Sequence, residues 1–102
     1  MHTKVPRWGF ARVRGRSMEP TLYDGDRLLV RYGVSPQIDQ LAVVRLAHRP
    51  LAVKRVTFHV DDGWWVERDN PLVGDDSWRL GAVGDDDVVA VVVRRVWPLR
   101  RD

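Results

Sequence analysis

An all-β fold is what this 102-residue sequence predicts, on three observations. Its apolar residues fall in short runs rich in valine, leucine and aromatic side chains, the composition that suits a pleated, half-buried surface. Glycine, proline, aspartate and asparagine punctuate those runs at turn spacing. No segment sustains an apolar period near 3.6 over three turns, so a long helix is not expected. The expected architecture is a set of mostly antiparallel sheets forming a partly closed barrel.

The elements follow in order. Residues 1–14 read as an N-terminal extension or edge, and residues 15–98 as the core of one domain spanning 1–102. Gly15 and Pro20 bracket a turn, because glycine opens backbone conformations closed to other residues and proline fixes the exit. Tyr23-Asp24-Gly25-Asp26 is a second turn, followed by a strand over residues 27–32. Further strands are expected over 42–46, 51–60, 64–67 and 88–97. Asp61-Asp62-Gly63 carries an Asp-Gly hairpin signal, so the strands on either side should pair antiparallel. Adjacent strand residues face opposite sides, so one of Trp64 and Trp65 should enter the core and the other half-form a surface patch. Trp8, Trp78 and Trp97 read as core or edge packing. Asp85-Asp86-Asp87 reads as a solvated turn, because consecutive carboxylates diverge and make a poor hard-cation site.

Composition excludes several chemistries. The chain has no cysteine, which removes thiol catalysis, disulfides and thiolate zinc sites. A reducing cytoplasm is compatible and is the expected location. The longest apolar run, Val88–Val93, falls far short of the roughly 18 residues that span a bilayer, and Lys4, Pro6, Arg7, Gly9 and Arg12 break up any secretory apolar region. A soluble protein without a transmembrane anchor is expected. Basic residues collect at the ends (Lys4, Arg7, Arg12, Arg14 and Arg16, then Arg94, Arg95, Arg100 and Arg101), against a net charge of only +3. No nucleic-acid motif accompanies them, so solvated faces of opposite sign are expected, and no nucleic-acid partner. His2, His48 and His59 are scattered without ligand spacing. His59 with Asp61 imitates part of a catalytic triad at a hairpin end, where surface histidines are ordinary. No metal and no cofactor are expected.

Two residues carry chemistry. Ser17 sits in the bracketed turn Gly15-Arg16-Ser17-Met18-Glu19-Pro20. A serine hydroxyl becomes a nucleophile only when a base accepts its proton and N–H donors receive the nascent oxyanion. Lys54 lies in the apolar run Leu51-Ala52-Val53-Lys54-Arg55-Val56. On an extended strand it shares a face with Ala52, Val56 and Phe58, while Arg55 points the other way. Burial disfavours the ammonium and turns such a lysine into a neutral base. Taken singly, each residue has an ordinary alternative: a turn serine bonding its own backbone, and a lysine snorkelling from a strand edge.

The segment Gly15 to Leu22 resembles the nucleophile box of the type I signal peptidase family, in which Ser-Met is followed by Pro-Thr-Leu. The resemblance continues in family order. Gly25-Asp26-Arg27-Leu28-Leu29-Val30 resembles the strand after the nucleophile, and Val53-Lys54-Arg55-Val56 the strand bearing the general base. Asp69-Asn70 with Asp76-Ser77 and Gly81 resembles the last box, and Val93 to Pro98 the closing strand. The resemblance implies that Ser17 is the nucleophile and Lys54 the general base and later the acid. The Ser17 N–H would be one oxyanion donor, with Gly15 the other candidate. Arg55 and Asp69 would form an ion pair, Met18 and Pro20 would shape the site, and Asn70, Asp76 and Ser77 would be structural. The implied fold is the all-β catalytic core shared by signal peptidases and the SOS repressor. The implied partner is a precursor polypeptide bound as an extended strand.

Three departures separate the chain from membrane-bound members. Gly15 stands where a serine often donates to the oxyanion. Gly74 stands where a serine often supports the lysine, and the usual Asp-Ser-Arg becomes Asp76-Ser77-Trp78-Arg79. The membrane anchor and the large insertion after the lysine strand are not found here. With these departures the sequence resembles the small soluble proteases that remove the N-terminal propeptide of nickel-type superoxide dismutase, and the resemblance implies that substrate. Three alternatives accompany that reading. One is signal peptidase-like processing of another precursor. Another is a self-cleaving regulator similar to the SOS repressor, which needs a scissile Ala-Gly bond that the sequence lacks. The third is a non-catalytic β-barrel binding module.

Overall fold

A computed structural model describes residues 7–99; Lys4, Arg100, Arg101 and His2 lie outside the described residues. Six strands form one sheet: β1 (Arg7–Arg12), β2 (Arg27–Tyr32), β3 (Leu41–Val44), β4 (Ala52–Val60), β5 (Gly63–Glu67) and β6 (Val88–Trp97). Their spatial order is β1-β2-β6-β3-β4-β5, and every pairing is antiparallel. Strands β1 and β5 end the sheet without pairing to each other, so it curls but does not close. A four-residue helix, α1 (Ser77–Leu80), and a single 3₁₀ turn over Asp85–Asp87 are the only helical pieces among the described residues. The all-β expectation therefore holds.

The hairpin forms where the Asp-Gly signal stands, with Val60 opposite Gly63 and His59 opposite Trp64. Gly63 lies so close to the Val83 carbonyl that an added Cβ would approach its oxygen to 2.1 Å, which explains glycine at this position beyond its turn preference. Residues 7–12, read from sequence as an extension or edge, form a strand paired along its length with β2. Arg7, Gly9 and Arg12 hide it, because an edge strand exposed on one face needs no continuous apolar run.

Two apolar clusters lie on opposite faces of the sheet. One gathers Val13, Met18, Leu22, Leu28, Val30, Val43, Val53, Ala90 and Val92. The other gathers Ala42, Val44, Leu46, Val56, Val66 and Val83. Alternation along β3 and β4 sends successive side chains to the two clusters, as pleating requires. The tryptophans depart from expectation. Trp64 and Trp65 are both half-buried, because β5 is an edge strand with few groups to cover either side. Trp65 is sandwiched by Phe58 and Trp78, with ring centroids at 5.6 and 5.2 Å. Of the core and edge alternatives for Trp8, Trp78 and Trp97, none is core: all three are exposed, Trp8 on the edge strand β1 and Trp78 against Trp65 of the edge strand β5.

Candidate active site

The Ser17 turn is pinned from three directions. Gly15, with φ of 81°, donates its N–H to Asp24 Oδ1 at 2.7 Å. Met18, 2 % exposed, anchors the turn in the first cluster, and its carbonyl accepts from the Leu22 N–H at 2.9 Å. Asn70 then clamps the turn to the segment after β5. Its N–H donates to the Ser17 carbonyl at 2.8 Å, and its Nδ2 to the Arg16 carbonyl at 2.9 Å. Pro20 is exposed at the exit of the turn. With the backbone carbonyls occupied, the Ser17 N–H makes no hydrogen bond among the described residues and is open to an incoming acceptor. The Gly15 N–H, by contrast, is engaged by Asp24.

Strand β4 delivers the lysine. Lys54 is 4 % exposed, and its Nζ donates to Ser17 Oγ at 2.9 Å. Burial lowers its pKa below the ordinary 10.5, and the positive charge of Arg68 acts in the same direction, while Asp76 and Asp75 oppose it. A desolvated amine whose hold on its proton is weakened by burial therefore sits against a serine hydroxyl, the geometry in which the nitrogen, once deprotonated, can accept the hydroxyl proton.

The remaining residues of the boxes support this contact. Arg55 points off the other side of β4 and grips Asp69 through Nε and a terminal nitrogen, at 2.9 and 2.7 Å. Its other terminal nitrogen donates to the Asp39 carbonyl at 2.8 Å. The Arg55 hydrogen bonds hold the Asp69 carboxyl below its ordinary 3.8, with help from the Thr21 hydroxyl. One carboxylate thus ties β4 to the nucleophile segment. Asp76 is 6 % exposed; it accepts from the Arg68 N–H and caps α1 at the Trp78 N–H. Ser77, 1 % exposed, accepts from the Val66 N–H through Oγ at 2.9 Å.

Gly74 occupies the position where a serine often supports the lysine. The structure gives it a positive role: a Cβ there would stand 2.7 Å from Ser17 Cβ and 3.7 Å from Lys54 Nζ. Arg68 fixes this loop by donating to the Gly74 and Pro71 carbonyls. No pattern in the sequence singled out Arg68; Thr21 stood in the nucleophile box and Asp24 in the second turn, but their bonds to Asp69 and to the Gly15 N–H were not legible there. His59 packs edge-on against Trp64. Among the described residues no three His, Asp or Glu side chains gather as a metal site would require.

Beside Ser17 lies a recess of about 270 Å³, floored by Met18, Val30, Val43 and Ala90 and walled by residues 10–14 and 51–53. Both walls offer unpaired strand edges among the described residues: β1 pairs with β2 alone, and β4 meets β5 only from Arg55 onward. An extended peptide can therefore add backbone hydrogen bonds beside the hydroxyl.

Fold and site together define a class: an all-β domain in which a serine hydroxyl and a desolvated lysine meet beside a strand-lined recess. A family model described as Peptidase S24-like matches residues 4–93, and the chain belongs to that family. It is accordingly a serine peptidase in the broad sense, with a polypeptide substrate. No curated protein shows a significant match to the chain. Among the described residues no helix is long and apolar enough to cross a membrane.

Proposed function

We propose that this protein is an endopeptidase in which Ser17 is the nucleophile and Lys54 the general base, and that it removes an N-terminal propeptide from a precursor. The observation that carries the reading is the 2.9 Å contact between Ser17 Oγ and the buried Lys54 Nζ. Neutral Lys54 takes the hydroxyl proton as Oγ attacks the scissile carbonyl carbon. The carbonyl oxygen gains the negative charge and accepts from the Ser17 N–H. Lys54 then gives its proton to the leaving amine as the C–N bond breaks, leaving an acyl-serine. A water molecule loses its proton to Lys54, attacks the ester and releases the carboxylate, and the proton returns to Oγ.

Nickel-type superoxide dismutase precursor is the first candidate substrate, on the strength of the resemblance in the motif order and of a compact core without the large insertion. Intact-mass analysis of that precursor after incubation with the protein tests the reading. One propeptide loss, absent with Ser17→Ala and Lys54→Ala, is the expected result. An unchanged precursor mass with folded protein overturns the substrate assignment, and cleavage that survives Ser17→Ala overturns the nucleophile.

The family match also favours a second reading, a self-cleaving regulator. Incubation of the protein alone separates the two, since only that reading gives a shortened chain.

A further inference from the structure

One face of the sheet, opposite the first apolar cluster, is left uncovered by the described residues where β1, β2 and β6 meet. The register places Trp8 beside Arg31, Phe10 beside Leu29 and Arg94, and Arg12 beside Arg27 and Trp97. Trp8, Phe10 and Trp97 are 56, 73 and 53 % exposed, three large aromatic side chains interleaved with arginines on one face. The three strands contain no acidic residue. Arg12, Arg27, Arg31 and Arg94 form no ion pair among the described residues.

The arginines are also held in place. The Arg27 guanidinium stacks on Trp97 and that of Arg31 on Trp8, each 5.2 Å from the ring centroid. Stacking fixes the planar fork; the Arg31 Nε is buried without a hydrogen-bond partner, while Arg27 and Arg94 are exposed and can take a carboxylate in two hydrogen bonds. Fixed arginine with tryptophan is the composition of energetic centres in protein interfaces. A lipid surface would instead need the tryptophan faces free to insert, and here a guanidinium lies over Trp8 and another over Trp97. A second copy is disfavoured on geometric grounds. The opposite charge of this chain lies at its other end, where residues 61–87 hold nine of the fourteen acids (61, 62, 67, 69, 75, 76, 85, 86 and 87), and a face-to-end contact is head-to-tail and has no two-fold closure.

We propose that this face docks the folded, acidic body of the precursor, outside the recess that takes the scissile peptide. Phe10 and Arg12 belong both to the face and to the wall of the recess, so a precursor seated on the face delivers its tail to Ser17. The inference rests on the peptidase reading and supplies what an apolar recess cannot, selection of one precursor among many extended peptides.

The test uses Arg27→Glu/Arg31→Glu/Arg94→Glu, three residues away from the recess. The nickel-type superoxide dismutase precursor and a short peptide spanning its cleavage site serve as substrates. Binding of the mature dismutase to the Ser17→Ala protein is measured alongside. The expected result is a rise of about tenfold or more in KM for the precursor, unchanged kinetics on the peptide, and salt-sensitive binding of the mature body that the charge reversals abolish. Equal loss on both substrates overturns the docking surface, as does failure of the mature body to bind. Arginine-dependent binding to phosphatidylglycerol vesicles, or arginine-dependent self-association in sedimentation velocity, assigns the face to another occupant and also overturns it. Docking without cleavage of precursor or peptide leaves the surface standing and overturns the peptidase reading instead.

Discussion

Replacing Gly74 by alanine should damage catalysis far more than folding, and the size of the effect follows from one contact. The new Cβ would sit 2.7 Å from Ser17 Cβ, whereas ordinary contact begins at 3.4 Å. Serine and loop must therefore part by about 0.7 Å, and displacements near 1 Å at a reacting group cost on the order of 10²-fold in rate. The backbone contributes separately, since φ at Gly74 is 87° and a side chain there costs about 1–2 kcal/mol. For a domain of this size that lowers Tm by about 5–15 °C. Gly81 isolates the backbone effect, because its φ is 86° and a Cβ there meets nothing within 4 Å. Gly81→Ala should therefore lose similar stability and keep its activity, whereas Gly74→Ala should lose about 10- to 100-fold in kcat/KM. Peptide cleavage rates and thermal melts on both variants decide the matter. Gly74→Ala retaining activity within about twofold would refute the claim that the close approach of this loop positions the nucleophile.

Two further predictions concern charge. Lys54→Met should abolish cleavage and raise stability near neutral pH, because it removes a buried cation's desolvation. The native lysine releases its proton below 10.5 while the unfolded chain still holds it. The wild-type protein should therefore gain on the variant as pH climbs toward 10.5, and cleavage by the wild type should rise with pH over the ascending limb of the same titration. Urea melts from pH 6 to 10 check this, and a pH-independent difference between the two proteins would rule the shift out. Asp69→Asn should cost about 1–2 kcal/mol, less than a fully buried pair, since the Arg55 side chain is 30 % exposed. Because the native carboxyl is held below 3.8, that loss should be full above this value and vanish as acid protonates Asp69 in the folded protein; denaturant titrations in acid read the convergence.

Legibility varied with how local the cause was. The strands from β2 to β6 were readable because valine-rich runs between turn residues state their own conformation. The hairpin was readable because Asp-Gly favours the backbone of a tight turn. Strand β1 was not, since an edge strand with one face exposed carries too weak a pattern. Composition left core and edge open for Trp8 and Trp97, and the structure decides it: they serve as exposed platforms for Arg31 and Arg27. At the site, the order of the boxes singled out Ser17, Lys54, Arg55, Asp69, Asn70, Asp76 and Ser77. It was silent on the Asp24 carboxylate that occupies the Gly15 N–H and on the Arg68 that braces the Gly74 loop.

By itself the amino-acid sequence determined the all-β class, the turn that bears the serine and the apolar strand that bears the lysine, because each is dictated by neighbours within a few residues. Tertiary structure alone decided that these two side chains meet at 2.9 Å across 37 positions of chain. It alone decided that Lys54 is desolvated, that Gly74 must lack a side chain, and that arginine and tryptophan share an uncovered face. Burial, close approach and field strength are properties of the assembled sheet, created only when strands far apart in the chain come to lie side by side.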